Sequence, residues 1–101
     1  MRVHVLGSED LVLGFRLAGI GGDVVADDRT AVRLFGTTAH DPEVALIVVS
    51  GRVAAAAQAE IAAVRTHAGF PIVVEVADAD EPGRDPESLM RFVREAVGLR
   101  L

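Results

Sequence analysis

Four polar clusters in this chain each follow an apolar run: Gly7-Ser8-Glu9-Asp10, Asp27-Asp28, Ser50-Gly51-Arg52 and Ala77-Asp78. If those runs are parallel strands, the clusters gather beyond the carboxyl ends of one sheet, where open α/β folds keep their sites. Phosphoryl transfer to an aspartate would need acids after the first strand, an aspartate ending the third and a lysine further on. Glu9 and Asp10 meet the first demand, but Ser50 stands where the acceptor should be and the chain has no lysine. A phosphate cradle would need a glycine-rich loop between the first strand and its helix. Gly7 alone is too little, Glu9 and Asp10 would repel an anion, and Gly19-Ile20-Gly21-Gly22 comes after the helix. Asp78-Ala79-Asp80-Glu81-Pro82-Gly83 opens like a calcium loop, yet Leu89 stands where that loop requires a bidentate glutamate.

The remaining chemistry is sparse. No cysteine is present, which removes disulfides, thiolate metal sites and thiol nucleophiles. All ten basic residues are arginine, which removes Schiff-base lysines as well. His4 falls in the first strand and reads as a hydrogen-bonded core or edge histidine. His40 with Asp41 reads as a loop pair, and His67 as a cation at a helix C-terminus. No serine, histidine and acid arrangement assembles, so no catalytic, cofactor or metal residue is expected. A net charge of −5 argues against nucleic acid as a partner. The longest apolar run, Val44 to Val49, is too short to span a bilayer, so a soluble chain without membrane insertion is expected.

The elements that hold these residues follow from periodicity and punctuation. The 101 residues suit a single domain, with half of them apolar and enough to build a core. Strands are predicted at Val3–Leu6, Asp23–Ala26, Val44–Val49 and Pro71–Val76. The third has no polar alternation, as a parallel strand buried on both faces should. A first helix opens at Ser8, with acids in its first turn, and Gly19, Gly21 and Gly22 end it. A second is capped by Asp27 or Asp28, carries Ala31, Leu34 and Phe35 on one face, and closes at Gly36, leaving residues 36–43 as loop. Arg52 to His67 reads as one long helix, with Val53, Ala57, Ile61 and Val64 inward and Gly69 as its stop. Residues 77–85 form an acidic connector, and Asp85-Pro86-Glu87 starts a last helix. Strands alternating with helices imply a parallel sheet covered on both faces, and right-handed crossovers set its order as 2-1-3-4. The expected fold is therefore a small three-layer, flavodoxin-like (receiver-like) α/β domain over residues 1–76, then the connector and a C-terminal helix at 86–101.

Two helices carry more apolar surface than a simple surface helix needs. In the first, Leu11, Phe15 and Ala18 form one face while Leu13, Leu17 and Ile20 form another, roughly opposite. In the last, Leu89, Met90, Phe92, Val93, Ala96 and Val97 spread over a wide arc. Either the two helices lie side by side and cover each other, or a partner covers one or both.

The stretch VLGSEDLVLGFRLAGIGGDVV at residues 5–25 resembles the N-terminus of the F subunit of the V/A-type rotary ATPases. DPESLMRFVREAVGLRL at 85–101 resembles that family's closing helix. Length and element order agree over the whole chain, whereas residues 36–69 match in element type and hardly in motif. The resemblance implies a non-catalytic component of the central rotor stalk in a proton- or sodium-translocating ATPase or ATP synthase. It implies binding to the coiled coil of the D subunit, with the A3B3 catalytic head as a second candidate partner, and a C-terminal helix able to shift. It also implies a cytoplasmic location, peripheral to the membrane, in the V1/A1 sector. On this reading the partner-binding residues are Leu13, Arg16, Leu17 and Ile20 in the first helix, with Met90, Phe92, Arg94 and Val97 in the last. The alternative is a receiver-like or flavodoxin-like signalling module that binds a small ligand.

Overall fold

The computed structural model describes residues 1–67, 69 and 71–77. The connector, the helix expected at 86–101 and the site residues Met90, Phe92, Arg94 and Val97 lie outside the described residues. Among the described residues eight elements run in the order β1 (Arg2–Gly7), α1 (Glu9–Leu17), β2 (Gly22–Val24), α2 (Asp28–Ala39), β3 (Val44–Ser50), α3 (Gly51–Ala56), α4 (Gln58–Arg65) and β4 (Ile72–Val76). The four strands form one parallel sheet in the order β2-β1-β3-β4, as the crossover rule requires. From β1 the chain moves to β2 at one edge and then returns across β1 to β3. That reversal puts α1 on one face and α2, α3 and α4 on the other.

Each face has its own core. On the α2–α4 side Phe35, Ala31, Val53, Ala57 and Ile61 pack on Leu6, Ile47, Val49 and Val73. On the α1 side Leu11, Val12, Phe15 and Ile20 pack with Val5, Val48 and Val76. The central strand β3 supplies both, Ile47 and Val49 to one and Val48 to the other, which is why its sequence shows no alternation.

Besides one-residue differences at strand ends, three elements depart from the sequence expectation. Helix α2 does not stop at Gly36; it continues to Ala39 and buries Thr38. A glycine ends a helix by taking a positive φ, as Gly19 (+87°) and Gly69 (+100°) do, and Gly36 does not. The helix expected over 52–67 is two helices, interrupted at Ala57 (φ −106°, ψ 28°). Neither proline nor glycine marks the break. Ala57 is fully buried, and its N–H still donates to the Val53 carbonyl at 2.9 Å. Strand β2 is Gly22–Val24, a residue earlier and shorter than 23–26. A Cβ on Gly22 would collide with the Val5 side chain and its carbonyl oxygen, so only glycine admits this close pairing.

Candidate interaction surface

The carboxyl edge of the sheet, where a ligand would be expected, is occupied by the chain's own caps. Ser8 Oγ accepts the Leu11 N–H at 3.3 Å at the start of α1, and Asp27 Oδ1 accepts the Thr30 N–H at 2.7 Å at the start of α2. Ser50 Oγ accepts the Val53 N–H at 3.2 Å at the start of α3. At the switch point between β1 and β3, a Cβ on Gly7 would meet Leu11 Cδ2 at 2.6 Å and Ser50 Cβ at 3.2 Å. The crevice that open α/β sheets offer a ligand at this point is filled by Leu11 and Ser50. Ser50 is 1% exposed and serves as a helix cap, which removes it from reach of a phosphoryl donor.

The electrostatics of this edge serve the fold. The Thr30 N–H, with the Arg29 and Arg52 charges nearby, holds the Asp27 carboxyl below its ordinary value. At the opposite edge Asp41 is lowered first by the Glu43 N–H and then by Arg2, whose guanidinium lies 2.7 Å away. Asp41 therefore pairs with Arg2 and not with His40, whose ring nitrogen Nδ1 faces the Gly36 carbonyl at 2.7 Å. His4 Nε2 lies 2.9 Å from Asp23 Oδ2, tying β1 to the edge strand β2. His67 Nδ1 lies 3.0 Å from the Ala63 carbonyl, at the end of α4. Among the described residues no three histidine, aspartate or glutamate side chains are grouped to hold a metal ion. A groove of about 790 Å³ is lined by residues of α3, α4, β3 and β4, among them Val49, Ile61, Arg65 and Glu75. Arg65 is already engaged, donating to the Val73 carbonyl at 2.9 Å.

Helix α1 is different. Leu11, Val12 and Phe15 are buried, and on the far side Leu13 is 51% and Leu17 79% exposed. Glu9, Leu13, Arg16 and Leu17 stand at i, i+4, i+7 and i+8 and are all exposed, so they form one outward stripe. Two corrections to the expected faces follow from where the helix ends. Because α1 stops at Leu17, Ile20 no longer follows the helical repeat; its side chain turns inward and is 8% exposed, packed in the α1-side core. Ala18, expected to face the sheet, is the exposed C-cap. Ile20 therefore does not share the outward face with Leu13, Arg16 and Leu17. The end of the helix was legible in Gly19, with its positive φ; its consequence for Ile20 was the signal missed.

A small parallel α/β domain whose apolar helix stripe faces outward suits a component of a larger assembly. The family model for the ATP synthase (F/14-kDa) subunit matches residues 3–93. The chain belongs to that family. The F subunit of the A-type ATP synthase of Methanococcus maripaludis (strain C5) is 34% identical over 102 residues, covering 98% of this chain and 97% of that protein. The corresponding F subunit of Thermococcus kodakarensis is 30% identical over 107 residues, covering 100% of this chain and 98% of the relative. That of Methanocaldococcus jannaschii is 26% identical over 103 residues, covering 100% and 99%. A member of this family is one part of a rotary ATPase, an enzyme complex, and so has other subunits as its partners. None of its described helices is long and apolar enough to cross a membrane.

Proposed function

We propose that this F subunit is a non-catalytic element of the central rotor stalk, coupling ATP hydrolysis or synthesis to rotation by binding the coiled-coil D subunit. It sits peripheral to the membrane in the cytoplasmic V1/A1 sector, and nucleotide and ion chemistry belong to other subunits. The observation that carries this reading is the outward stripe of α1 in a chain whose whole length matches the family. Two leucines held out in solvent by a helix already anchored on its other side are a surface made for another protein. Leu13, Arg16 and Leu17 are the docking residues in this part of the chain. Met90, Phe92, Arg94 and Val97 extend the contact from the C-terminal segment, with the A3B3 head as a second neighbour. Residues 1–76 form the folded platform, 77–85 the connector and 86–101 the closing helix.

Co-expression with the matching D subunit tests the reading. The two should elute together as a one-to-one complex, and Leu13→Ser with Leu17→Ser should separate them. Separate elution of the wild-type chains at micromolar concentration defeats the assignment. A chain ending at residue 83 should keep the sheet domain folded and lose part of the coupling between ATP hydrolysis and rotation in the reconstituted complex. Unchanged coupling would show that the C-terminal segment has no regulatory part.

A further inference from the structure

The charges on the outward stripe of α1 specify more than an apolar contact. Glu9 and Asp10 occupy the first turn and Arg16 the last, with Leu13 between them and Leu17 just past Arg16. None of the three charges has an ion-pair partner among the described residues, whose side-chain pairs are Arg2 with Asp41 and His4 with Asp23. Seven residues separate Glu9 from Arg16, about 10 Å along the helix axis, too far for them to pair with each other. The helix dipole favours acids in the first turn and a base in the last wherever they point around the axis. What it does not require is that Glu9 and Arg16 share one stripe with two exposed leucines. Past its first turn the N–H groups of α1 are engaged within the helix, so an element lying along the Leu13–Leu17 stretch is held there by side chains. A stripe spaced i, i+4, i+7 and i+8 is a ridge that fits the groove of a second helix.

We propose that the element seated on α1 is a helix of the stalk partner that carries a basic and an acidic side chain about seven residues apart. The base lies over Glu9 and the acid over Arg16, with an apolar residue between them against Leu13 and another past the acid against Leu17. This inference rests on the reading of α1 as the stalk-docking face. Seven residues are one heptad, so in a coiled coil the two charges occupy the same heptad position in successive repeats, on one flank of the rod. The opposed charges set the register of the contact, because a partner shifted by a heptad brings like charges together.

The test measures binding of the full chain to the helical-hairpin D subunit in solution. Arg16→Glu and Glu9→Lys should each weaken binding about tenfold, and Arg16→Gln by less. The double variant should be weaker than either single variant, and wild-type binding should fall as salt rises from about 50 to about 500 mM. Thermal melts of the free variants report whether each is folded, and Arg16→Gln carries the test should a reversal fail that check. If the leucine variants weaken binding and the charge variants do not, the charge assignment is overturned while the docking face stands. If the charge variants weaken binding and the leucine variants do not, the apolar part of the partner helix is overturned. If neither set matters, the docking face falls with the inference. Sedimentation of the chain without its partner supplies the remaining arm. A dimer broken by Arg16→Glu and restored by adding Glu9→Arg would make the occupant a second copy of this chain, and the proposal would be wrong.

Discussion

The two faces of the sheet are built differently. The α2–α4 face carries three helices, and Ala31, Phe35, Val53 and Ile61 from them form a buried layer with Ala57 between the last two helices. On the opposite face α1 is the single described helix; it packs on β1 and β2 and keeps two leucines in solvent. The first face is finished as core, and the second presents apolar surface on its outer side. Leu13 and Leu17 are the exposed leucines of that outer side, at 51% and 79%. On the proposed reading, the difference separates the part of the molecule that holds the fold from the part offered to a partner.

The largest effects are expected in the two cores. Phe35→Ala should cost about 3–5 kcal/mol in urea unfolding, because three surrounding helices prevent collapse around the cavity. Phe15→Ala should fall at the low end of that range, about 3 kcal/mol, since α1 lies alone among the described helices and can settle into the gap. Equal losses would show the α1 face to be as constrained as the other. Gly22→Ala should cost about 1–3 kcal/mol by forcing β2 away from Val5, while Gly21→Ala, with open space around it, should change little. A neutral Gly22 variant would mean that β2 is free to shift.

Smaller effects bear on the same contrast. Ser50→Ala removes a buried cap on the finished face and should cost about 1 kcal/mol. Ser8→Ala removes a longer, half-buried cap on the α1 side and should cost less, about 0.5 kcal/mol. The pH dependence has a definite sign. Asp27 and Asp41 are both lowered in the folded state, so their contributions are present above the unfolded value near pH 4 and are lost as pH falls through the folded ones. Both flank α2, so acid should weaken that side first, and Asp27→Asn should flatten part of the decline in urea midpoint between about pH 5 and pH 2.5. The smallest effect on stability belongs to the outward stripe of α1. Leu13→Ser and Leu17→Ser should each change the free chain's stability by less than about 0.5 kcal/mol, because neither side chain is core. A larger loss would mean that the stripe belongs to the fold after all.

Much of this architecture was legible from residue type and order. Val44–Val49 announced a central parallel strand, Ser8 and the Asp27-Asp28 pair stood before their helices, and alternation of strand and helix led to the order 2-1-3-4, whereas the cap role of Ser50 came only from the structure. Those features are local or combinatorial: a side chain caps its own helix, and crossover handedness limits the arrangements. The outward placement of Leu13 and Leu17 was legible too, because it follows from the helical repeat once Leu11 and Phe15 face the sheet. Other features depend on residues distant in the chain and came from tertiary packing. Ile20 turned inward because the α1-side core accepts it after the helix has ended. Gly36 stayed helical because Thr38, two residues on, is buried, and the helix broke at Ala57 with no breaker in its sequence. Burial against other elements outweighs a residue's own preference, worth about 1 kcal/mol for a glycine inside a helix, and that burial exists only once the chain has closed on itself.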